Sequence, residues 1–524
     1  MSSHFDAIVV GSGLNGLAAA VHLSAKGWRV LVLERQSLPG GAVKTAQCTL
    51  PGFRHDLYAM NLSSFAGSPF HAEHAGLLAQ HGLSFVPADK PFASAFPAAS
   101  GLPWVGVEKG LEATLAHVRR ANPDDAARWI ELDKAFNEQA PYLFGLLGTP
   151  APSWAALKLL WRLYRGLGLR KASELVRILV SSPRDWLHEH FQSPSVHCML
   201  ASWGMHLDFG PDVSGGALFP YLEAMASQRF GMMLGQGGAD TIIKAMVKAV
   251  EAAGGELRNE STVSRIIVES GRATGVELSN GQKLLARRAV IANVHPRALY
   301  GRLLGQDAPA DSAKASKLRP GPATMMIHLA MESLPDWRAG DALKQFAYVH
   351  LAPSLTQLAT TYAQSLVGTL PAEPMLVVGQ PTAFDPSRAP EGKHVLWVQV
   401  RTLPYEVQAD AAGQLMPGSW DELKEAYADR MMDLLEGYAP GIKAKVLART
   451  VLSPVDLERD NPNLVEGDSL SGSHHLDQFF MLRPAWGRAR WRTGVDSLYH
   501  VGASTWPGGG TGAGSGYMLA KEIA

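Results

Sequence analysis

The N-terminal part of the chain carries two short apolar runs separated by an amphipathic stretch. Residues 7–10 (AIVV) and 30–33 (VLVL) are uninterrupted apolar runs with the length of buried strands. Residues 14–26 between them repeat apolar positions at helical spacing. A strand, a helix and a second buried strand predict a βαβ unit with parallel strands, and therefore an α/β fold of the Rossmann type.

Three glycines lie between the first run and the helix in the pattern G-x-G-x-x-G. Gly11 permits a sharp turn, Gly13 lets the backbone approach a pyrophosphate, and Gly16 lets the helix pack close to the strand. The helix N-terminus then points its amides at the phosphates. Glu34 follows the second run, where a carboxylate can accept hydrogen bonds from ribose hydroxyls. These features predict NAD or FAD without a 2′-phosphate; the alternative is an ordinary βαβ unit with a glycine turn.

Two later segments carry patterns that complete the same domain. Residues 235–296 contain a Gly-Gly turn, an amphipathic helix, alternating strands and a buried run at 289–292. The C-terminus carries an apolar run at 498–501, a glycine-rich turn and an apolar helix, a pattern that favours a second ligand-facing helix over a flexible tail. We therefore predict a dinucleotide-binding domain from residues 1–69, 235–296 and 484–524, and an inserted α+β substrate domain with a helical cap from residues 70–234 and 297–483.

Composition narrows the class of protein. A chain of 524 residues is too long for one compact core, and 48 basic residues balance 48 acidic ones, so nothing points to nucleic acid. We find no apolar window of membrane-spanning length. Cys48 and Cys198 match no metal or redox spacing, so we expect no metal. The first strand begins close to the N-terminus, so we expect no signal peptide and a cytoplasmic location.

The C-terminal strand and helix favour FAD over NAD. An NAD dehydrogenase needs no such element, whereas an extended flavin dinucleotide commonly does. We also find no second G-x-G-x-x-G in a credible βαβ unit, so a built-in NAD(P)H domain is not expected. Electrons would then pass between the substrate and an external acceptor.

Three stretches of the sequence resemble a known family. Residues 11–45 (GSGLNGLAAAVHLSAKGWRVLVLERQSLPGGAVKT) are similar to the FAD fingerprint of phytoene desaturase-like and amine oxidase-like flavoproteins. Residues 467–484 (GDSLSGSHHLDQFFMLRP) and 502–516 (GASTWPGGGTGAGSG) resemble the phytoene dehydrogenase-like branch, which also contains carotenoid isomerase and retinol saturase relatives. The resemblance covers both ends and residues 235–296 strongly, and the substrate domain only patchily.

The resemblance implies a set of FAD contacts and two departures from the family pattern. Ala503-Ser504 stand where many relatives have an acid, which weakens one hydrogen bond to the cofactor. Trp506 stands where this branch often has histidine. The implied cofactor-binding residues are Gly11, Gly13, Leu14, Asn15, Gly16, Glu34, Arg35, Gly41, Ala42, Val263, Gly502, Gly510, Thr511 and Gly512.

Candidate substrate contacts are few, because a flavin carries the difficult chemistry and the protein supplies position and a dry cavity. In a desaturation, a hydride goes to the flavin and a proton leaves, sometimes with no strong base. We therefore leave the catalytic residues open. The pocket candidates are His206, His474, His475, Trp506 and Tyr58, each of which has structural packing as its alternative role.

Residues 154–184 combine basic side chains with aromatic and aliphatic ones, and Glu174 is the single acid. Such a pattern is typical of a helix that lies at a membrane interface. The alternative, which the pattern favours slightly, is a solvated cationic face on the helical cap. The chain would then be cytoplasmic, with or without peripheral membrane contact.

The leading functional hypothesis is an FAD-dependent oxidoreductase of the desaturase or dehydrogenase type. Its substrate would be apolar, isoprenoid or polyene-like. Three alternatives stay open: a flavin amine or alcohol oxidase, a redox-neutral flavin-dependent isomerase, and a prenyl-binding escort protein. The sequence does not define the oligomeric state.

Overall fold

The computed structural model describes residues 5–524, except for the side chain of Ala99. In chain order the strands are β1 Phe5–Val10, β2 Val30–Leu33, β3 Thr45–Ala46, β4 His55–Asp56, β5 Phe85–Ala88, β6 Phe92–Ala95, β7 Trp104–Val107, β8 Met232–Gly235, β9 Glu256–Arg258, β10 Val263–Glu269, β11 Arg272–Leu278, β12 Lys283–Ala292, β13 Ala323–Met331, β14 Tyr348–Leu351, β15 Thr369–Leu370, β16 Leu376–Gly379, β17 His394–Leu403, β18 Ala409–Asp410, β19 Val446–Leu452 and β20 Leu498–His500.

The α-helices alternate with these strands and cluster in the middle of the chain. They are α1 Leu14–Ala25, α2 Ser63–Ala66, α3 Pro69–Gln80, α4 Leu111–Ala121, α5 Asp125–Leu147, α6 Trp154–Val180, α7 Pro183–His190, α8 Pro194–Met205, α9 Leu218–Phe230, α10 Thr241–Ala252, α11 Ala313–Ser316, α12 Leu355–Leu366, α13 Trp420–Tyr438, α14 Pro454–Asp460 and α15 Gly514–Ile523.

The first sheet has the strand order β10-β11-β12-β1-β2-β9, with β20 beside β12. Strand β1 pairs in parallel with β2 and β12, so that Val9 lies opposite Val32 and Ile291. Helices α1 and α10 bury their apolar stripes, including Leu17 and Met246, against one face of this sheet. The predicted βαβ unit and Rossmann-type fold are confirmed. Every strand of this sheet falls within the segments predicted for the dinucleotide-binding domain, although the exact boundaries stay a prediction.

The second sheet is mixed and has the order β19-β13-β17-β16-β14-β6-β7. Side chains on one face, such as Ile327 and Val398, pack against α13. Side chains on the other face, such as Met326 and Trp397, share an apolar cluster with residues of helices α5, α8 and α9. This alternation follows from the two-residue repeat of a strand.

Residues 70–234 are largely helical but also contain four short strands, the last of which ends at Gly235. Strands β6 and β7 join the edge of the second sheet through β14, and β5 pairs with β8. Each run is only four residues long, so helical flanks mask its periodicity. Within residues 5–524, no helix combines the length and apolarity needed to cross a bilayer.

Candidate active site

One cavity lies between the carboxyl ends of β1 and β12 and the inner face of the second sheet. Parallel strands place ligands at their carboxyl ends, where the following turns converge. The cavity therefore joins the glycine turn after β1 to side chains of β13, β14 and β17. The first sheet forms its nucleotide end and the second sheet forms its far end.

The glycine turn leaves no room for side chains. A Cβ atom on Gly13 would lie 2.8 Å from Asn293 Nδ2, and one on Gly16 would lie 2.5 Å from the Gly11 carbonyl oxygen. Gly11 itself has a φ of 93°, which favours glycine. No side chain caps the N-terminus of α1. The first amides of α1, at the cavity-lining residues Leu14 and Asn15, are therefore available to an anion.

A second set of close approaches completes this end of the cavity. Gly41 has a φ of 59°, and a Cβ atom there would lie 3.2 Å from Gly13 Cα. A Cβ atom on Gly516 would lie 1.7 Å from the Asn15 carbonyl oxygen, so α15 starts directly against the start of α1. The two helix N-termini and the small residues between them fit the pyrophosphate of an extended dinucleotide.

Several predicted cofactor residues lie in this wall and others do not. Those that line the cavity are Gly13, Leu14, Asn15, Gly41, Ala42, Gly502, Gly510 and Thr511. Those outside its enclosed part are Gly11, Gly16, Glu34, Arg35, Val263 and Gly512. Gly11 and Gly16 lie behind the turn, where they set its shape. The Val263 carbonyl already accepts a hydrogen bond from Arg302 Nη1 at 3.0 Å.

Glu34 directly follows β2, and its carboxylate is buried beside the glycine turn. It accepts hydrogen bonds from Ser12 N at 3.0 Å, from Ser12 Oγ at 2.6 Å and from Gln36 N at 2.9 Å. These bonds hold the carboxylate in place, and its remaining lone pairs can accept from a ribose. Arg35 is exposed to solvent.

A family model described as flavin containing amine oxidoreductase matches residues 14–508. The chain belongs to this family. It is 28% identical to a pyridine nucleotide-disulfide oxidoreductase domain-containing protein 2 of Rattus norvegicus, over 100% of this chain and 94% of that protein. It is 27% identical to a phytoene desaturase (neurosporene-forming) of Cereibacter sphaeroides, over 98% of this chain and 94% of that protein.

A solved oxidoreductase structure shares the fold. An oxidoreductase from Methanosarcina mazei aligns over 98% of this chain and 99% of its own, with a TM-score of 0.62 and 20% identity. The protein is thus an FAD-dependent oxidoreductase with a Rossmann-type FAD-binding fold, as the resemblance implied. FAD supplies hydride-accepting chemistry when it is bound.

The far end of the cavity combines aromatic rings with polar side chains such as Thr324 and Gln399. The rings of Tyr348 and Trp397 stack with centroids 5.5 Å apart, and the His206 ring stacks on Trp203 at 4.7 Å. His206 Nε2 lies 3.1 Å from His350 Nε2. Burial lowers the pKa of both imidazoles, so they are neutral at pH 7. His206, predicted as a pocket residue, does line the cavity.

Tyr58, the other predicted pocket residue that lines the cavity, is fixed by a carboxylate. Its hydroxyl donates to Asp460, which also pairs with Lys44 Nζ at 3.0 Å. Burial, followed by the nearby Asp460 charge, raises the pKa of this hydroxyl. The hydroxyl is therefore held protonated, and the aromatic body forms part of the wall.

Three predicted pocket residues do not line the cavity, and the expectation for them is corrected. Trp506 is fully buried, stacks on Phe480 and donates from its indole nitrogen to the Thr149 carbonyl at 2.9 Å. His474 is buried against Phe479. The remaining one, His475, bonds the Asp208 carbonyl and the Tyr362 hydroxyl at the protein surface. The packing alternative applies to all three.

Trp506→Phe should therefore lower the melting temperature while leaving the absorbance spectrum of bound FAD unchanged. The Thr149 carbonyl loses its donor, at a cost of about 1–2 kcal/mol. Thermal unfolding and visible absorbance measure the two effects. A shifted flavin spectrum would contradict the assignment of Trp506 to packing.

Sequence reasoning missed a glutamate in the cavity wall. Glu223 lies on α9 and is exposed in part, but to the cavity rather than to the outer surface. No hydrogen bond or ion pair to it is found among residues 5–524. Burial raises the pKa of Glu223 to about 7. The one available signal was that it is the only acid on α9 and interrupts an apolar run over residues 218–226.

Arg401, on β17, is a second missed residue. Its guanidinium donates to Ser469 Oγ at 2.9 Å and to the His206 carbonyl, and no carboxylate pairs with it within the described part of the chain. Burial lowers the pKa of Arg401 to about 10, which leaves it charged at pH 7. The cavity therefore contains one cation and one titratable acid within aromatic walls.

Proposed function

We propose that the protein oxidises an apolar, elongated small molecule of the isoprenoid or polyene type, as a desaturase or dehydrogenase. The observation that supports this proposal is the far wall of the cavity, where aromatic rings and Met326 adjoin the cradle for FAD. Apolar walls bind an apolar chain and exclude water from the reacting bond. The related phytoene desaturase supports the same type of reaction.

The cofactor residues have defined tasks in this proposal. The amides of Leu14 and Asn15 would bind the pyrophosphate, and Glu34 the ribose. Gly41-Ala42 and Gly510-Thr511 would leave space for the ribityl chain and the ring. The remaining implied contacts, which include Val263 and Gly512, stay predictions.

The substrate residues have two tasks. The rings of Tyr348 and Trp397 would position the substrate chain, since their stacked pair forms a rigid face. The Glu223 carboxylate would take the proton that leaves when a hydride is removed, because it faces the cavity and has no protein partner in the described residues. The electrons would leave through an external acceptor.

Anaerobic flavin bleaching tests the substrate class. The purified protein is mixed with a panel of polyenes, alcohols and amines, and absorbance of the oxidised flavin is followed. Bleaching by polyenes supports the proposal. Bleaching by amines alone would contradict it, and isomerisation of a polyene without net bleaching would instead establish the redox-neutral alternative.

We further propose that the protein works in the cytoplasm at a membrane surface, through the exposed side of α6. Trp154 is 80% exposed and Trp161 is 60% exposed. Leu157, Leu160, Tyr164 and Leu169 are also exposed.

On the same helix, ion pairs engage Arg170, Lys171 and Arg177. Within residues 5–524, Lys158, Arg162 and Arg165 have no acidic partner. Aromatic side chains beside free basic ones suit an anionic lipid surface.

The double substitution of Trp154 and Trp161 by serine should abolish sedimentation with vesicles that contain anionic lipid. Each removed ring loses contact with the interface, while the basic charges stay. Trp486→Ser is the matched control, because Trp486 is 72% exposed elsewhere on the surface. Absence of vesicle binding by the parent protein would instead establish the solvated cationic face.

A further inference from the structure

A cysteine and two histidines meet where the hairpin of β3 and β4 packs against the second sheet. Cys48 follows β3, His55 begins β4 and His328 lies on β13. The Cys48 sulfur and one nitrogen of each imidazole lie within 4.8 Å of one another. The three residues are distant in sequence, so no spacing motif announces the cluster.

The two histidines are buried and incompletely satisfied. His55 is 2% exposed and His328 is fully buried. His55 Nε2 lies 2.8 Å from Thr49 Oγ1, whereas His55 Nδ1 has no hydrogen-bond partner in the described chain. Within the described residues, neither ring nitrogen of His328 has a hydrogen-bond partner. Unpaired polar atoms of this kind call for a ligand or a functional explanation.

We propose that Cys48, His55 and His328 form a binding site for a thiophilic divalent cation, with Zn²⁺ as the expected ion. One thiolate and two imidazoles are among the ligands that Zn²⁺ prefers. Ligand atoms around a tetrahedral Zn²⁺ lie about 3.5 Å apart, so side-chain shifts of about 1 Å complete the shell. Water supplies the fourth ligand from the side of half-buried Cys48.

The chemistry of binding is a proton exchange without electron transfer. The Cys48 thiol releases its proton to solvent, its sulfur binds the ion, and Zn²⁺ keeps its oxidation state. Both imidazoles are buried, and a neutral imidazole is the form that binds a metal. Thr49 would orient His55 from behind, as outer-shell partners of metal ligands commonly do.

The ion would connect two parts of the cavity wall. His55 is three residues before Tyr58, and His328 is two residues after Met326, and both of those neighbours line the cavity. A bound ion would hold the hairpin against β13, so we expect Zn²⁺ to raise the melting temperature. This role does not depend on the identity of the substrate.

Zinc binding by the chelator-treated holoprotein tests the proposal. Equilibrium dialysis should give one bound Zn²⁺ per chain, lost in Cys48→Ser and retained in Cys198→Ser, where the other, fully packed thiol is removed. His74→Gln is a second control, because His22, Glu73 and His74 form the other cluster of potential ligands in the described chain. No tight binding, or binding that Cys48→Ser leaves unchanged, would overturn the proposal.

Two further measurements keep the test independent of the folding of Cys48→Ser. Co²⁺ should give tetrahedral, thiolate-bound absorption bands at longer wavelength than the oxidised flavin. In Cys198→Ser, Zn²⁺ at about ten times its Kd should slow alkylation of Cys48 by about tenfold. Unchanged alkylation, or octahedral Co²⁺ bands alone, would refute the site.

Discussion

Gly13→Val should yield a folded protein that no longer retains FAD. Gly13 caps α1 with φ −64° and ψ 163°, a conformation that valine adopts without strain. The substitution therefore acts because the valine side chain occupies space, and not because it strains the backbone. Its Cβ atom would lie 2.8 Å from Asn293 Nδ2, and its methyl groups would fill the approach to the first amides of α1. We expect a loss of at least about 100-fold in FAD affinity, which corresponds to about 2.7 kcal/mol.

Gly437→Ala is the matched control for this substitution. Gly437 lies exposed on α13, and a Cβ atom there would meet nothing within 4 Å. Visible absorbance after gel filtration reports retained FAD, and far-ultraviolet circular dichroism reports folding. A yellow Gly13→Val protein with the affinity of the parent would show that FAD does not approach this turn.

Sequence periodicity was sufficient to predict the nucleotide end of the molecule. Buried parallel strands such as β1 read as continuous apolar runs, and the glycine turn has a steric requirement that few other residues meet. Both signals are local. Two further apolar runs, at residues 289–292 and 498–501, indicated that their segments belong to the same domain, and the structure adds that these runs pair as β1 with β12 and β12 with β20.

The far end of the cavity could not be predicted in the same way. Glu223, Tyr348, Trp397 and Arg401 come from one helix and two strands that are far apart in the chain, and only the topology of the second sheet brings them together. Each sits in a segment whose local pattern is that of ordinary core. An acid within the apolar run of α9 was a signal, but the spacing alone does not show which way the Glu223 side chain points.

For the two histidines in residues 467–484, the sequence suggested pocket residues, but the structure places them outside the cavity. His474 and His475 are conspicuous in sequence, yet one packs against Phe479 and the other bonds Asp208 near the surface. A histidine beside aromatic residues is compatible with core packing as well as with a pocket. His206 lines the cavity instead, and the fully buried His350 of β14 lies behind it, with their Nε2 atoms 3.1 Å apart.

Glu223→Gln should make the protein more stable than the parent at pH 8, with a difference that shrinks towards pH 5. Burial raises the pKa of Glu223 from its ordinary value of 4.5 to about 7, so the folded chain holds this proton more tightly than the unfolded chain. The stability that protonation contributes is complete below about pH 4.5, is lost as the pH rises through about 7, and stays lost above it. The expected difference is about 3 kcal/mol at pH 8 and less than about 1 kcal/mol at pH 5.

Glu251→Gln is the control, because Glu251 is exposed on α10 and has no ion-pair partner in the described residues. The free energy of unfolding of Glu251→Gln should change with pH in the same way as that of the parent protein. A Glu223→Gln protein that also follows the parent would show that the carboxyl is solvated or paired in solution. The pH dependence therefore tests the burial of Glu223 without any knowledge of the substrate.

The same variant separates a catalytic carboxyl from a buried but inert one. If Glu223 accepts the departing proton, Glu223→Gln should slow substrate-dependent flavin bleaching by about 100-fold and remove its rise with pH near 7, with FAD affinity unchanged. An inert carboxyl would give the stability difference without the kinetic one. At neutral pH, an ionised Glu223 without a partner destabilises the folded state. A role in proton transfer explains why a destabilising carboxyl lies in the cavity.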